Sequence, residues 1–410
     1  MAPKKEEKEP SLIWVYSDSL DADLDAATWL ETTKNLRQMG WRVSLIHAGP
    51  PDLTHVGDVE VTSIPKPDIY LVKQVIFHLK VLREVVRRWR TTDVVLFHQM
   101  SAPWLLPLRF VRPLSRQGKP LIVMDTRTAP MIPKEFASAR DRLKTYFDTV
   151  INRIANHLAD GQTAITFRMA EMMRIPEKQL MGVWPSGVNL DLFEEAYQTR
   201  KWDAANEQIH LIYVGALHHP RNLMNFCRAV VSANEKYLRP RFVFTIVGDG
   251  TEREELEAYA VKTGGCIRVH PPVPHEQIPS FLAKAHIGVL PFPDQERFRV
   301  SSPIKLFEYM ASRMPIVATH IDCHTDVVGE DDYAFWAYDE TVEGLELALD
   351  EAWQQRKMLA NKGQNAAAAA LKWTWAASAR KLDMALLSGL SECEKSLINA
   401  NYAEEDQGIF

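Results

Sequence analysis

The chain has 410 residues, 46% of them hydrophobic, and a formal net charge of −5 at pH 7. That length predicts two domains with a core each, and the mildly acidic balance argues against a nucleic-acid partner. The four cysteines, Cys227, Cys266, Cys323 and Cys393, are far apart without metal-type pairing and read as reduced and structural. No run of about 18 apolar residues occurs, and the opening MAPKKEEKEP carries both charge signs where a signal peptide needs an apolar core, so the chain is expected to be cytoplasmic.

In chain order, residues 1–10 read as a disordered tail. Short β-branched or aliphatic runs then alternate with helical periodicity, which predicts parallel sheets flanked by helices. A first series of strands is readable at Leu12–Tyr16, Arg42–His47, Val94–His98, Leu121–Asp125, Ala164–Thr166 and Met181–Trp184. A second series follows at His210–Val214, Arg241–Val247, Ile267–Val269, Ile287–Leu290 and Pro315–Ala318. These give two doubly wound domains, 11–190 and 207–372, joined by a linker at 191–206. A helix at 373–398, carrying KWTWAASARKLDMALL, packs on a domain face or crosses back to the first domain, and 399–410 reads as a disordered tail. In such sheets ligands sit beyond the carboxyl ends of the strands, so the cleft between domains is the expected site.

Several segments carry chemistry. In SDSLDADLDAATW, Asp21, Asp23 and Asp25 form overlapping D-x-D patterns, but a helix follows at once, so capping and dipole matching explain them more simply than a bound cation. His98 ends an apolar strand, where it is either a core histidine or a cleft-facing ring. Asp125 and Arg127, in MDTRTAP, end the next strand and suit an ion pair holding the loop or contacts to a substrate. Gly248 and Gly250 in VGDG end a second-series strand, where a backbone without side chains lets a ligand approach closely. In SSPIKLFEYMASRMPIVAT, Ser301 and Ser302 are N-cap candidates and Pro303 suits the first helical position. Lys305 adds charge to that turn, so free N–H groups and the positive helix end form an anion site. Glu308, one turn on, suits the hydroxyls of a ribose or sugar, and the pattern suggests a nucleotide with its sugar attached.

The segments TAITFRMAEMM, PSGVNLDLF (Pro185–Phe193), IYVGALHHPRNL with IVGDGTEREELE, and SSPIKLFEYMASRMPIVAT together resemble the retaining GT-B glycosyltransferases of the family-4 type, in the subset whose helix reads S-P-x-K-x-x-E-Y. The resemblance implies an α/β GT-B architecture of two Rossmann-like domains facing across a cleft. The implied activity is transfer of a hexose-type sugar from a nucleoside diphosphate sugar to an acceptor hydroxyl, with no metal or other cofactor. It implies a donor diphosphate held by Arg221 and Lys305, with Gly215, Gly248, Ser301, Ser302 and Ile304 lining the site, Val273 near the base and Glu308 on the ribose. His98 would approach the donor sugar or the acceptor, and Asp125 and Arg127 the acceptor. Two departures are plain: Val300 replaces the first glutamate of the family pair, and Ala216 follows Gly215 where many relatives carry arginine. These favour the competing reading, a weak or inactive relative that binds nucleotide sugars or lipid.

Residues 69–119 carry Lys73, Lys80, Arg83, Arg87, Arg88, Arg90, Arg109, Arg112, Arg116 and Lys119 against Glu84 and Asp93 alone. Trp89, Trp104, Leu105, Leu106, Phe110 and Val111 are interleaved. Such a mixture is either a solvated helix with ordinary core residues or an interfacial patch for an anionic membrane, each basic residue adding roughly 1 kcal/mol near the surface. The second reading makes the acceptor a lipid or lipid-linked glycan and places the chain on the cytoplasmic face of a membrane.

Overall fold

The computed structural model describes residues 9–20, 26–67, 72–114, 120–128 and 139–407. The Asp21, Asp23 and Asp25 cluster, residues 69–71 and Arg116 and Lys119 of the basic segment, and nearly all of the 1–10 tail lie outside them. The chain folds as two compact units. One runs to Thr128, resumes to Pro185 and is completed from Trp375, and the other is Ser186–Thr374.

The first unit holds β1 (Ser11–Val15), β2 (Arg42–Ala48), β3 (His55–Val56), β4 (Val59–Ile64), β5 (Val94–His98), β6 (Leu121–Thr126), β7 (Gly161–Ala164) and β8 (Leu180–Val183) in the order β3-β4-β2-β1-β5-β6-β7-β8. All pairings are parallel except β3 with β4. Both faces of the central strands are buried, so they read as continuous apolar runs. Alternation still sorts them: Leu12, Trp14, Val94 and Leu96 enter one core cluster, Ile13, Val15, Val95 and Phe97 the other. Trp14 is fully buried, edge-on to Trp29 at 5.2 Å and to Trp184 at 5.7 Å. The helix Trp375–Gln407 closes the first of these clusters with Leu382, Leu386 and Leu390, spaced one turn apart, and its Asp383 accepts a 2.7 Å hydrogen bond from Trp41 Nε1. This helix continues to Gln407, through the stretch expected to be disordered from 399; the sequence there holds neither Gly nor Pro to stop it.

The second unit holds β9 (Ile209–Val214), β10 (Phe242–Val247), β11 (Ile267–His270), β12 (Ile287–Leu290), β13 (Ile316–Thr319) and β14 (Ala334–Ala337), all parallel, in the order β11-β10-β9-β12-β13-β14. Residues 191–206, expected as a linker, form three short helical segments that bury Phe193, Ala196 and Ala205 in this unit's core. Arg200 rivets them down. Its guanidinium donates to the carbonyls of Ala285 (2.6 Å), Leu282 (2.9 Å), Ser312 (2.6 Å) and Arg313 (3.2 Å). Burial pushes Arg200 down to about 9, still charged at neutral pH and matched by four carbonyl dipoles. Cys227, Cys266 and Cys323 are free and buried, in line with their expected structural role.

Sequence reading missed β3, β4 and β14. The first two hold exposed or polar residues, and β14 is an edge strand with only alternate residues buried. Among the described residues no helix is long and apolar enough to cross a membrane.

Candidate functional site

In the second sheet the connections turn outward in opposite directions on either side of the β9/β12 pair, and a topological switch point of this kind opens a crevice at the strands' carboxyl ends. The candidate donor residues gather there. Gly215 directly follows β9 with φ +137°, a conformation available to glycine, and a Cβ there would meet the Lys305 ammonium and the methylene next to it. Gly248 directly follows β10 with φ +155°, and its Cβ would collide with the Gly215 carbonyl oxygen. The two glycines let two strand ends and a lysine meet at one point.

Lys305 comes from the helix Ile304–Ala311 after β12, and its ammonium lies 5.9 Å from the centre of the fully buried Tyr213 ring. The helix begins differently from expectation. Its cap position is Pro303, with no side chain capping the helix. Ser301 instead donates to the Phe298 carbonyl (2.7 Å), and Ser302 Oγ accepts from the Ser186 N–H (3.1 Å). The serines brace the approach to the helix because Pro303, with φ −75° and ψ 108°, keeps them one step too far back to cap it. Pro303 has no side-chain group to cap the helix, so its positive end lies beside Ile304 and Lys305 without a cap from that residue.

Arg221 lies in the turn His219–Arg221, after β9. Its guanidinium lies over Phe292 at 4.9 Å and Phe298 at 5.3 Å, an aromatic platform that holds a planar cation without neutralising it. Glu308 is buried, 6% exposed, and Oε1 lies 2.8 Å from His275 Nε2. His275 was invisible to sequence reading: it sits in a proline-flanked loop with no spacing signal, and only folding brings it to Glu308. Val273, in the same loop, is half-buried against the core. Val300, where a carboxylate was expected, is 4% exposed.

In the first unit the switch point lies between β1 and β5, and His98 ends β5 there. It is buried, with Nδ1 3.4 Å from the Met100 N–H and Nε2 3.3 Å from the Thr128 hydroxyl. Burial, helped by the Arg127 charge, pushes it down to about 4, so the ring is neutral at physiological pH. For Asp125 and Arg127 two roles were open, an ion pair holding the loop or contacts to a substrate. Asp125 is fully buried, its Oδ1 accepting from the Thr163 hydroxyl (2.6 Å) and Trp184 Nε1 (3.0 Å). Arg127 lies 3.6 Å from the Trp184 ring and donates to its carbonyl (3.0 Å). These contacts brace β6 and the end of β8, while Asp125 Oδ2 is buried with no hydrogen-bond partner among the described residues.

The basic segment is also redistributed. Leu105 and Leu106 are core, Trp104 stacks on His78 at 5.2 Å, and Arg109 is turned inward to the Leu158 carbonyl (2.8 Å). The helix Val72–Arg87 faces outward, with Val72, Val75, Leu79 and Val86 exposed beside Lys80, Arg83 and Arg87, and Arg90 and Phe110 beyond it are exposed as well. A second helix, Ala139–Leu158, exposes Leu143, Tyr146, Phe147 and Ile154; its sequence gave no warning because polar residues interrupt the apolar ones. An open hollow of about 460 Å³ borders the first helix, lined by Asp18, Ser19, Gly49, Lys66 and Lys73 among others.

Residues 26–192 match Glycosyltransferase Family 4, and residues 208–355 match Glycosyl transferases group 1. Both matched families are glycosyltransferases, and the two matches together span most of the chain. Solved structures of the same two-domain GT-B architecture extend over nearly all of this chain. Anabaena Alr3699/HepE in complex with UDP and glucose is 14% identical, with a TM-score of 0.68 over 92% of this chain and 100% of that one. Sucrose-phosphate synthase from Thermosynechococcus elongatus is 14% identical, TM-score 0.69, over 95% and 100%. The catalytic domain of starch synthase IV from Arabidopsis thaliana, bound to ADP and acarbose, is 12% identical, TM-score 0.68, over 93% and 99%. No curated protein matches the sequence. At these identities the likeness speaks for the two-domain Rossmann-like fold.

Proposed function

We propose that this glycosyltransferase is a retaining, metal-independent enzyme that moves a hexose-type sugar from a nucleoside diphosphate sugar to an acceptor hydroxyl. The observation that carries the reading is the meeting of Lys305 with Gly215 beside a helix start whose cap residue, Pro303, makes no side-chain cap, at the sheet's switch point. Cleaving the bond from the anomeric carbon to the diphosphate leaves negative charge on the leaving group, and pre-placed cations and N–H dipoles stabilise that charge. Lys305 and Arg221 supply the cations, and the Ile304 end of the helix supplies the dipole. Glu308, with one oxygen held by His275, offers the other to the ribose, and Val273 lies near the base. His98, neutral, hydrogen-bonds a sugar hydroxyl rather than serving as an acid. The departing phosphate takes the acceptor's proton, so no protein base is required. UDP or ADP in solved neighbours fits this assignment.

The outward apolar and basic residues of the helix Val72–Arg87 support a lipid or lipid-linked acceptor and peripheral attachment to the cytoplasmic face of an anionic membrane. The second reading, a binding protein with little or no turnover, draws on Val300 and Ala216. Incubation with labelled UDP, GDP and ADP sugars separates the two. Slow donor hydrolysis or transfer, abolished by Lys305→Ala and by Glu308→Ala, is the expected result; tight donor binding with no turnover on any acceptor would remove the enzyme reading. Flotation with anionic liposomes at low salt tests the membrane assignment, and failure to float counts against it.

A further inference from the structure

We propose that His219, Glu252 and Glu255 form a binding site for a divalent transition ion of the zinc class, which pins the turn carrying Arg221 to the loop that follows β10. The three side chains come from two separate segments, the turn His219–Arg221 and the first turn of the helix Arg253–Ala260, and each offers a donor atom within 4.8 Å of the other two. Glu252 and Glu255 stand three apart, so both face the same side of the helix start.

A group of exposed carboxylates would mean little alone. Glu252 is different. It is 2% exposed, and its Oε2 is buried with no hydrogen-bond partner among the described residues. Its other oxygen has only His219 Nδ1, at 3.3 Å, and that ring is itself 64% exposed. The ordinary reason for a glutamate at this position, capping the helix that follows, does not apply: Glu252 occupies the cap position, yet its side chain makes no capping hydrogen bond. Burial raises its carboxyl above the usual range; the His219 charge opposes this and the Glu255 carboxylate adds to it. Arg228, the remaining cation acting on it, has its guanidinium at Asn225 Oδ1, 3.3 Å away. A buried carboxylate with an unused oxygen, next to an imidazole and a second carboxylate, is a donor set awaiting a cation.

One imidazole and two carboxylates favour zinc, cobalt, nickel or manganese over magnesium and calcium, which take oxygen donors. Zinc ligands stand about 2.0–2.2 Å from the metal, so the donors must close together somewhat. The exposed His219 and Glu255 side chains can swing to do so. Backbone bonds already tie the two segments, Leu217 N–H to the Asp249 carbonyl (2.8 Å) and Glu252 N–H to the Leu217 carbonyl (2.9 Å). The ion adds a side-chain link beside them and acts on the loop, leaving the sugar-transfer chemistry metal-free.

The test is calorimetric titration of the full-length protein, stripped with EDTA and dialysed, with zinc chloride and separately with magnesium chloride, alongside thermal melts. The expected result is one zinc per chain, a rise in melting temperature and no response to magnesium. Glu252→Gln and His219→Ala should each weaken zinc binding at least tenfold, while His55→Ala, at another exposed histidine, should leave it unchanged. His219 is exposed, so its variant keeps the test sound even if Glu252→Gln folds poorly. Absence of stoichiometric zinc binding, or a His219→Ala variant that binds as the wild type does, overturns the assignment.

Discussion

Gly215→Ala isolates the contact on which the donor-site reading depends. At φ +137° any residue other than glycine is strained, by about 1–3 kcal/mol, before contacts are considered. The added methyl would also occupy the space of the Lys305 ammonium and its neighbouring methylene. Lysine can swing away cheaply, so the fold should survive, but the charge leaves the end of β9. A hydrogen bond to a charged group is worth about 1.5–3 kcal/mol, and at 1.4 kcal/mol per factor of ten the nucleoside diphosphate should bind about 10- to 100-fold more weakly. Gly264→Ala is the matched control: its φ is +61°, and its Cβ would meet nothing within 4 Å. It should lose about 1 kcal/mol of stability and none of its nucleotide affinity. Urea denaturation and calorimetric titration with UDP, GDP and ADP measure both quantities. Equal nucleotide affinity in Gly215→Ala and wild type would refute the reasoning, because Lys305 would then have no role where the ligand binds.

Arg200→Met should destabilise the second unit by about 3–5 kcal/mol, since four carbonyls lose their shared donor inside the core; a change in urea midpoint equivalent to under about 1 kcal/mol would show that water replaces it. Acid should weaken both units. His98 and His324 are buried and held neutral at about 4, below the 6.5 of an unfolded histidine, so the unfolded chain takes up protons first. Their contribution is complete above pH 6.5 and is lost as the pH falls toward 4, at up to about 3 kcal/mol per histidine. Urea melts at pH 7.5 and 4.5 with unchanged midpoints would contradict this.

Periodicity revealed the sheets because their central strands are buried on both faces, which leaves unbroken apolar runs such as Val94–Phe97 and Ile287–Leu290. It missed β3 and β14, edge strands that owe their form to backbone pairing rather than to side-chain burial, and β4, where Glu60, Thr62 and Ser63 interrupt the buried Val59, Val61 and Ile64. The site divides along a similar line. Lys305, Glu308, Gly215 and Gly248 were legible because a helix start and two strand ends are local features. The partner that holds Glu308 was not: His275 lies 33 positions away. Asp125 shows the converse. Its place at a strand end allowed either a ligand contact or a loop-holding role, and Thr163 and Trp184, 38 and 59 positions away, hold one of its oxygens inside the fold. A polar residue at a strand end therefore signals function only when nothing distant claims it. Lys305 differs from Asp125 in position: it meets Gly215 at a helix start beside the second unit's switch point, where the proposed donor site gathers its positive charge.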